Sequence, residues 1–347
     1  MIVQWFAFAV LIVLLFSRAK YIMRNGNYLD KCTTSTINGF FICLVFLSHF
    51  SQYCMGSYTN WIGNFFKQLV VVMFLFYSGY GCAAQYCARG EEYLRVFPRR
   101  RMMPILVNFD IAVCVFIIVG LLLGKSFTLR QVALSFVCWD SVGNSVWYIF
   151  TILFCYGIFW ASFKASYGNR SYLLQKREVL CIAFMVVFVF AVSRLKESYW
   201  YDTVMAFPAG VVFCIHKEKL EKFISRNYCL CFVVIAVLFF LASHQMSITG
   251  TRRWWLVFNL MAFNLKSVCF ALLVVMGTMR ISLRSPMLRW CGEHLFPLYI
   301  YQRIPMLIFS KLHPEAFRDW RCWLYCILSF AITLLISQQY RRFCWKG

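Results

Sequence analysis

The stretch Ile37-Asn-Gly-Phe-Phe-Ile-Cys-Leu-Val-Phe-Leu-Ser-His49-Phe50 decides the fold. It is apolar on all sides rather than on alternate residues, and Asn38, Ser48 and His49 are its polar exceptions. Barrel strands in a membrane alternate polar and apolar residues over about ten positions. A bilayer-spanning helix instead needs about 20 mostly apolar residues, and this stretch with its flanks supplies them. Working outward from it, eleven such runs cover the chain, near 2–17, 37–53, 62–84, 104–124, 145–163, 178–194, 203–216, 228–244, 254–278, 291–310 and 320–338. The runs 2–17 and 203–216 are short, and 130–139 is apolar but too short to span. The expectation is an all-α polytopic integral membrane protein of about 11 transmembrane helices, with an N-terminal helix and its connection (1–29) followed by one membrane domain (30–347).

Composition supports the same class. Of 347 residues, 62% are hydrophobic and 14% charged, against roughly 45–50% and about 25% in soluble domains. A soluble globular chain is excluded, and so is disorder, which requires low hydrophobicity. The 35 Lys and Arg against 13 Asp and Glu give a net charge of +22. In a soluble protein that excess would suggest a nucleic-acid partner. Here it sorts by side, because membrane proteins gather Lys and Arg in cytoplasmic connections. The connections 18–36, 85–103, 164–177, 217–227, 279–290 and 339–347 carry 23 of the 35, whereas 54–61, 125–144, 194–202, 245–253 and 311–321 carry 9. Lys67, Lys266 and Arg303 fall within runs. The bias predicts an N-terminus outside, a C-terminus in the cytoplasm, and no nucleic-acid partner. The first run lacks a basic start, and Ser17-Arg18-Ala19-Lys20 follows it in place of a small-residue cleavage site, so it reads as a helix rather than a signal peptide.

No connection exceeds about 20 residues, so chemistry has to sit within the membrane or at its faces. The 17 cysteines lie mostly inside apolar runs and read as small buried hydrophobes. The five histidines form no zinc pattern, and no Gly-rich phosphate loop of the G-x-x-x-x-G-K type occurs.

Ionisable groups inside a span are costly and therefore candidate sites. His49 is the sharpest, near the outer end of its helix, where a neutral imidazole could act as general base; the alternative is an interfacial histidine bonded to a carbonyl. In Phe74-Leu-Phe-Tyr-Ser78-Gly-Tyr80-Gly81 the small residues suit close helix packing. Arg99, Arg100 and Arg101, just before Pro104, are either a headgroup anchor or a grip on phosphates. Asn144, Trp147 and Tyr148 open the fifth run at the outer face, where the two aromatics could simply be interfacial. Lys266 and Arg303 fall mid-run, with Asp110 as a possible counter-ion of either; Tyr299 and Gln302 immediately precede Arg303.

Taken in order, these pieces resemble acyltransferase family 3, integral membrane proteins that O-acylate surface polysaccharides. Ser48-His49, Phe76-Tyr77-Ser78-Gly79-Tyr80, the arginines before Pro104, Trp147-Tyr148, and Gly292, Phe296 and Tyr299 carry the resemblance over about residues 30–340. It implies a ten-helix core and a cytoplasmic acyl-CoA, most often acetyl-CoA, as co-substrate with no bound cofactor. The acceptor would be an extracytoplasmic polysaccharide or glycolipid, and the location a bacterial inner membrane. His49 would be the base. Arg99 to Arg101, with Lys266 and Arg303, would hold acyl-CoA. Asn38, Ser78, Tyr80, Asn144, Trp147, Tyr148, Tyr299 and Gln302 would line the acceptor pocket. Two positions depart from the family pattern: Asn38 stands where many members have arginine, and Gln302 where many have histidine. A transporter or lipid-linked glycan flippase is the main rival, although no inverted repeat is visible. A glycan polymerase ranks behind it.

Overall fold

The computed structural model describes residues 2–54, 66, 68–165, 176–245 and 253–345. Lys67 and most of the connections 54–61, 164–177 and 245–253 lie outside the described residues. The described residues are mostly helical: α1 (Ile2–Phe16), α2 (Lys31–Ser51), α3 (Leu69–Arg89), α4 (Glu91–Phe97), α5 (Met103–Leu122), α6 (Leu129–Phe136), α7 (Trp147–Ala165), α8 (Arg177–Val192), α9 (Ala206–Ile215), α10 (Lys217–Arg226), α11 (Tyr228–Gln245), α12 (Arg253–Thr278), α13 (Pro286–Glu293), α14 (Leu295–Tyr301), α15 (Arg303–Leu312) and α16 (Cys322–Phe343). A π-helical turn, Pro98–Met102, joins α4 to α5. The strands among the described residues are the two-residue pair β1 (Lys20–Tyr21) and β2 (Ile281–Ser282).

Every apolar run therefore contains helix. Six described segments are long and apolar enough to cross a bilayer: Lys31–Ser51, Leu69–Arg89, Glu91–Leu122, Trp147–Ala165, Val257–Thr278 and Cys322–Tyr340. A seventh arises if α10 and α11 count as one span bent by 101°. Large aliphatic side chains point outward on these and neighbouring helices, among them Leu122, Val187, Leu230 and Ile327. A soluble protein rarely exposes apolar surface on that scale; in a bilayer such side chains face lipid.

The run 291–310 differs from the single helix expected. It is three pieces, α13, α14 and α15, breaking at His294 and Gln302. Each break falls three residues before a proline. Pro297 cannot donate to Glu293, nor Pro305 to Tyr301, so the ladder fails at the last residue of α13 and of α14.

Two compact units divide the chain. Unit 1 comprises Met1–Val70, Met103–Phe150 and Ile281–Gly347; unit 2 comprises Val71–Met102 and Thr151–Arg280. In unit 1, Asp30 caps α2 by accepting from the Thr33 N–H. Two glycines then bring α2 against α13: a Cβ on Gly39 would strike the Leu288 carbonyl, and one on Gly292 the Ser35 carbonyl. Unit 2 repeats the device. A Cβ on Gly79 of α3 would strike the Phe207 carbonyl of α9, and one on Gly210 the Phe76 carbonyl. Small residues permit such backbone contact between membrane helices.

Contacts inside each unit join connections that the charge pattern assigns to one side. In unit 1, Lys20 pairs with Ser282 across β1 and β2. The Asn108 amide and the Trp345 backbone exchange two hydrogen bonds of 2.9 Å. At the opposite ends of the helices, Phe50 packs on Phe317 with ring centroids 5.6 Å apart. In unit 2, Arg280 covers the Tyr228 ring at 4.5 Å, while Thr151 donates to the Trp200 carbonyl at 3.1 Å.

Candidate active site

His49 is two residues from the end of α2, about 27 Å along the helix axis from Lys31 at 1.5 Å per residue. It is buried, with 7% of its surface exposed. Its ring faces Tyr299 of α14 with centroids 6.1 Å apart. Tyr299 in turn packs on Tyr148 at 5.2 Å, and Tyr148 on Trp147 at 6.1 Å. The short helix α14 aims Tyr299 inward because both of its ends are released by proline. The next residues, Gln302 and Arg303, occupy the α14–α15 junction. Gln302 is buried and donates from Nε2 to the Tyr299 carbonyl at 3.0 Å. Arg303 donates from Nη2 to Oε1 of Gln52, three residues beyond His49, at 2.6 Å. Tyr53 lies beside the same guanidinium, which is also within electrostatic reach of His49 and Tyr299.

The loop before α7 completes the cluster. Gly143 has a left-handed φ of 111°. Asn144 Oδ1 accepts from the Val142 N–H and from the Ser141 hydroxyl, which fixes the turn. This presents Ser145 beside Tyr299.

The informative property of this cluster is what is left unpaired. His49 Nδ1, Asn144 Nδ2, Ser145 Oγ, Tyr299 Oη, Gln302 Oε1 and Arg303 Nε are all buried and without a hydrogen-bond partner of good geometry. A buried polar atom left unpaired costs about 1–3 kcal/mol, and native structures keep such atoms few. Six of them on residues that adjoin one another mark a place built to receive polar groups. The set offers a base or acid (His49), hydroxyls (Ser145, Tyr299), amides (Asn144, Gln302) and one cation (Arg303). Among the described residues no group of three His, Cys, Asp or Glu is placed to hold a metal ion.

The structure thus brings together His49, Asn144, Trp147, Tyr148, Tyr299, Gln302 and Arg303, all within unit 1. Arg303 stands at the junction of α14 and α15 rather than in the middle of one continuous helix, and is tied to Gln52. Asn38 shares α2 with His49 eleven residues earlier, about three helical turns away, and its Oδ1 is buried without a partner. The other predicted residues belong to unit 2. Ser78 stands beside Tyr156, and Tyr80 beside Lys217. Lys266 is 5.7 Å from the centre of the Phe239 ring. Arg99, Arg100 and Arg101 are exposed on the π-helical turn. Arg101 reaches back toward Tyr93, Tyr156 and Cys82. Sequence reading missed Ser145, Gln52 and Tyr53. The first stands next to a predicted residue, and the other two follow His49 within one turn.

Residues 36–338 match the family described as acyltransferase domain. No curated protein and no solved structure matches the chain. The match spans nearly the whole chain, which therefore belongs to acyltransferase family 3.

Proposed function

We propose that this acyltransferase moves an acyl group, most simply acetyl, from a cytoplasmic acyl-CoA to a hydroxyl of an extracytoplasmic polysaccharide or glycolipid. The observation that carries the reading is the buried His49 with an unpaired Nδ1, facing Tyr299 among five further unpaired polar atoms. In the reaction, the acceptor oxygen attacks the thioester carbonyl as His49 takes its proton. The imidazolium returns that proton as the carbon–sulfur bond breaks and CoA thiol leaves. Ser145, Tyr299 and Asn144 supply donors for the acceptor hydroxyls and the developing oxyanion.

Arg99 to Arg101 hold the phosphates of the donor, since guanidinium groups pair with phosphate through two parallel hydrogen bonds. The charge bias supports a cytoplasmic side for this turn and the C-terminus, and an outer side for the N-terminus and the outer end of α2, while a bacterial inner membrane is what the family membership suggests.

Purified protein supplied with acetyl-labelled acetyl-CoA and isolated surface glycan tests the reading. Label passing to the glycan is the expected result, and His49→Ala at equal membrane abundance removes nearly all of it. Glycan movement across a vesicle without label transfer, or transfer undiminished by His49→Ala, overturns it.

A further inference from the structure

Two pairs of thiols touch in unit 1, and the fold treats them differently. Cys43 of α2 and Cys291 of α13 are in thiol–thiol contact beside the Gly39–Gly292 crossing, both buried in the middle of the helix pair. Cys54 lies three residues past the end of α2, and its thiol reaches that of Cys322, the first residue of α16. Cys326 is one turn further along α16 and packs with Cys54 on the same aromatic cluster, formed around Phe46, Phe50, Met306 and Phe317. Cys54 and Cys322 both flank connections that the charge pattern puts outside, 54–61 and 311–321. Thiols in an oxidising extracytoplasmic space form and keep disulfides, whereas thiols packed mid-helix are shielded from a water-borne oxidant.

We propose that Cys54 and Cys322 form a disulfide that fastens the outer end of the His49 helix to the start of α16, while Cys43 and Cys291 stay reduced. The proposal rests on the orientation given above. The oxidant is a protein disulfide of the extracytoplasmic space. The Cys54 thiolate attacks one of its sulfurs, forming a mixed disulfide and releasing the first thiolate. The Cys322 thiolate then attacks the Cys54 sulfur, closing the bond and expelling the second. The two released thiolates take up the two protons that Cys54 and Cys322 gave up, and two electrons pass from the pair to the oxidant. The cross-link sits within two residues of Gln52, the partner of Arg303. It therefore steadies the segment on which the position of His49 depends.

Differential alkylation of the full-length protein tests this. Membranes are denatured with a light alkylating reagent present, then reduced, treated with a heavy reagent, digested and read by mass spectrometry. Cys54 and Cys322 should carry the heavy label and yield a joined peptide before reduction. Cys43 and Cys291 should carry the light label. Cys326→Ser should keep the joined peptide, and Cys54→Ser should lose it. A light label on most Cys54, or loss of the joined peptide in Cys326→Ser, overturns the pairing. A membrane-impermeant maleimide on intact cells separates pairing from orientation. In Cys322→Ser it should label Cys54 from outside. Labelling only after lysis would sink the orientation instead, and the assignment of sides in the proposed function with it.

Discussion

The crossing of α2 with α13 and the crossing of α3 with α9 are built alike and lead to different interiors. Both rest on reciprocal glycines set against carbonyls, Gly39 and Gly292 in unit 1, Gly79 and Gly210 in unit 2. Beyond the unit 2 crossing, rings fill the space. Phe76 meets Phe213 at 5.9 Å, Tyr156 meets Phe207 at 6.0 Å, and Phe97 meets Phe159 at 5.5 Å. Beyond the unit 1 crossing, α13 stops four residues before Pro297, and the polar cluster of His49 and Tyr299 takes the place of rings alone. The glycines therefore say only that two helices touch. The chemistry is set by whether the partner helix continues past the contact.

The largest expected effect would break both crossings equally. Gly39→Leu and Gly79→Leu each push a side chain into backbone that cannot move aside, and overpacking against side chains alone already costs about 1–3 kcal/mol. Each variant should lose the monodisperse peak of the detergent-solubilised protein on size exclusion. A variant that keeps it would show that the helices can separate without unfolding.

The next effect should appear in unit 1 alone. General base catalysis contributes about 10²–10⁴ in rate, and a base works only when deprotonated. The rate of transfer should therefore fall as pH drops through the titration of His49 and hold above it. In His49→Ala the residual rate should be lower by about that factor and should lose this acid limb. A limb that survives the substitution assigns the titration to another group.

Unit 2 should respond in binding rather than in rate. Replacing Arg99, Arg100 and Arg101 together with alanine should raise the KM for acyl-CoA by about tenfold, the equivalent of one charge-assisted hydrogen bond of roughly 1.4 kcal/mol, with kcat little changed. A fall in kcat at unchanged KM would move these arginines from holding the donor to the reaction itself.

How much of this was legible in the sequence follows the same line. Each apolar run holds helix because hydrophobicity over about 20 residues is a strong signal. The division of 291–310 into three pieces was visible in Pro297 and Pro305, but a run read for apolarity alone hides it, and Arg303 then passes for a charge in the middle of one continuous helix. His49 stood out because a titratable group interrupts a long apolar stretch. Tyr299 and Gln302 did not, since a tyrosine and a glutamine near a helix end are ordinary, and only the resemblance selected them. Ser145 and Gln52 had no periodic or compositional signal, because their significance is that they adjoin Tyr299 and Arg303 in space.

The smallest expected effect separates the two interiors most cleanly, because it makes one chemical change in both. Tyr77 in unit 2 and Tyr299 in unit 1 are each buried with a hydroxyl that has no hydrogen-bond partner of good geometry, Ser145 and the Tyr148 backbone standing beside that of Tyr299. Removing an unpaired buried hydroxyl while keeping the ring is close to neutral or stabilising for a fold. Tyr77→Phe should therefore leave both transfer and thermal stability unchanged or slightly improved. Tyr299→Phe should be equally harmless to stability but lower kcat/KM by up to about tenfold, the worth of one hydrogen bond of about 1 ± 0.5 kcal/mol made only when substrate is present. Equal rates for the two variants would mean that the Tyr299 hydroxyl is idle. A stability loss in Tyr299→Phe would mean that it is already paired in the resting protein. Only a rate loss without a stability loss fits a polar floor whose partner is the substrate.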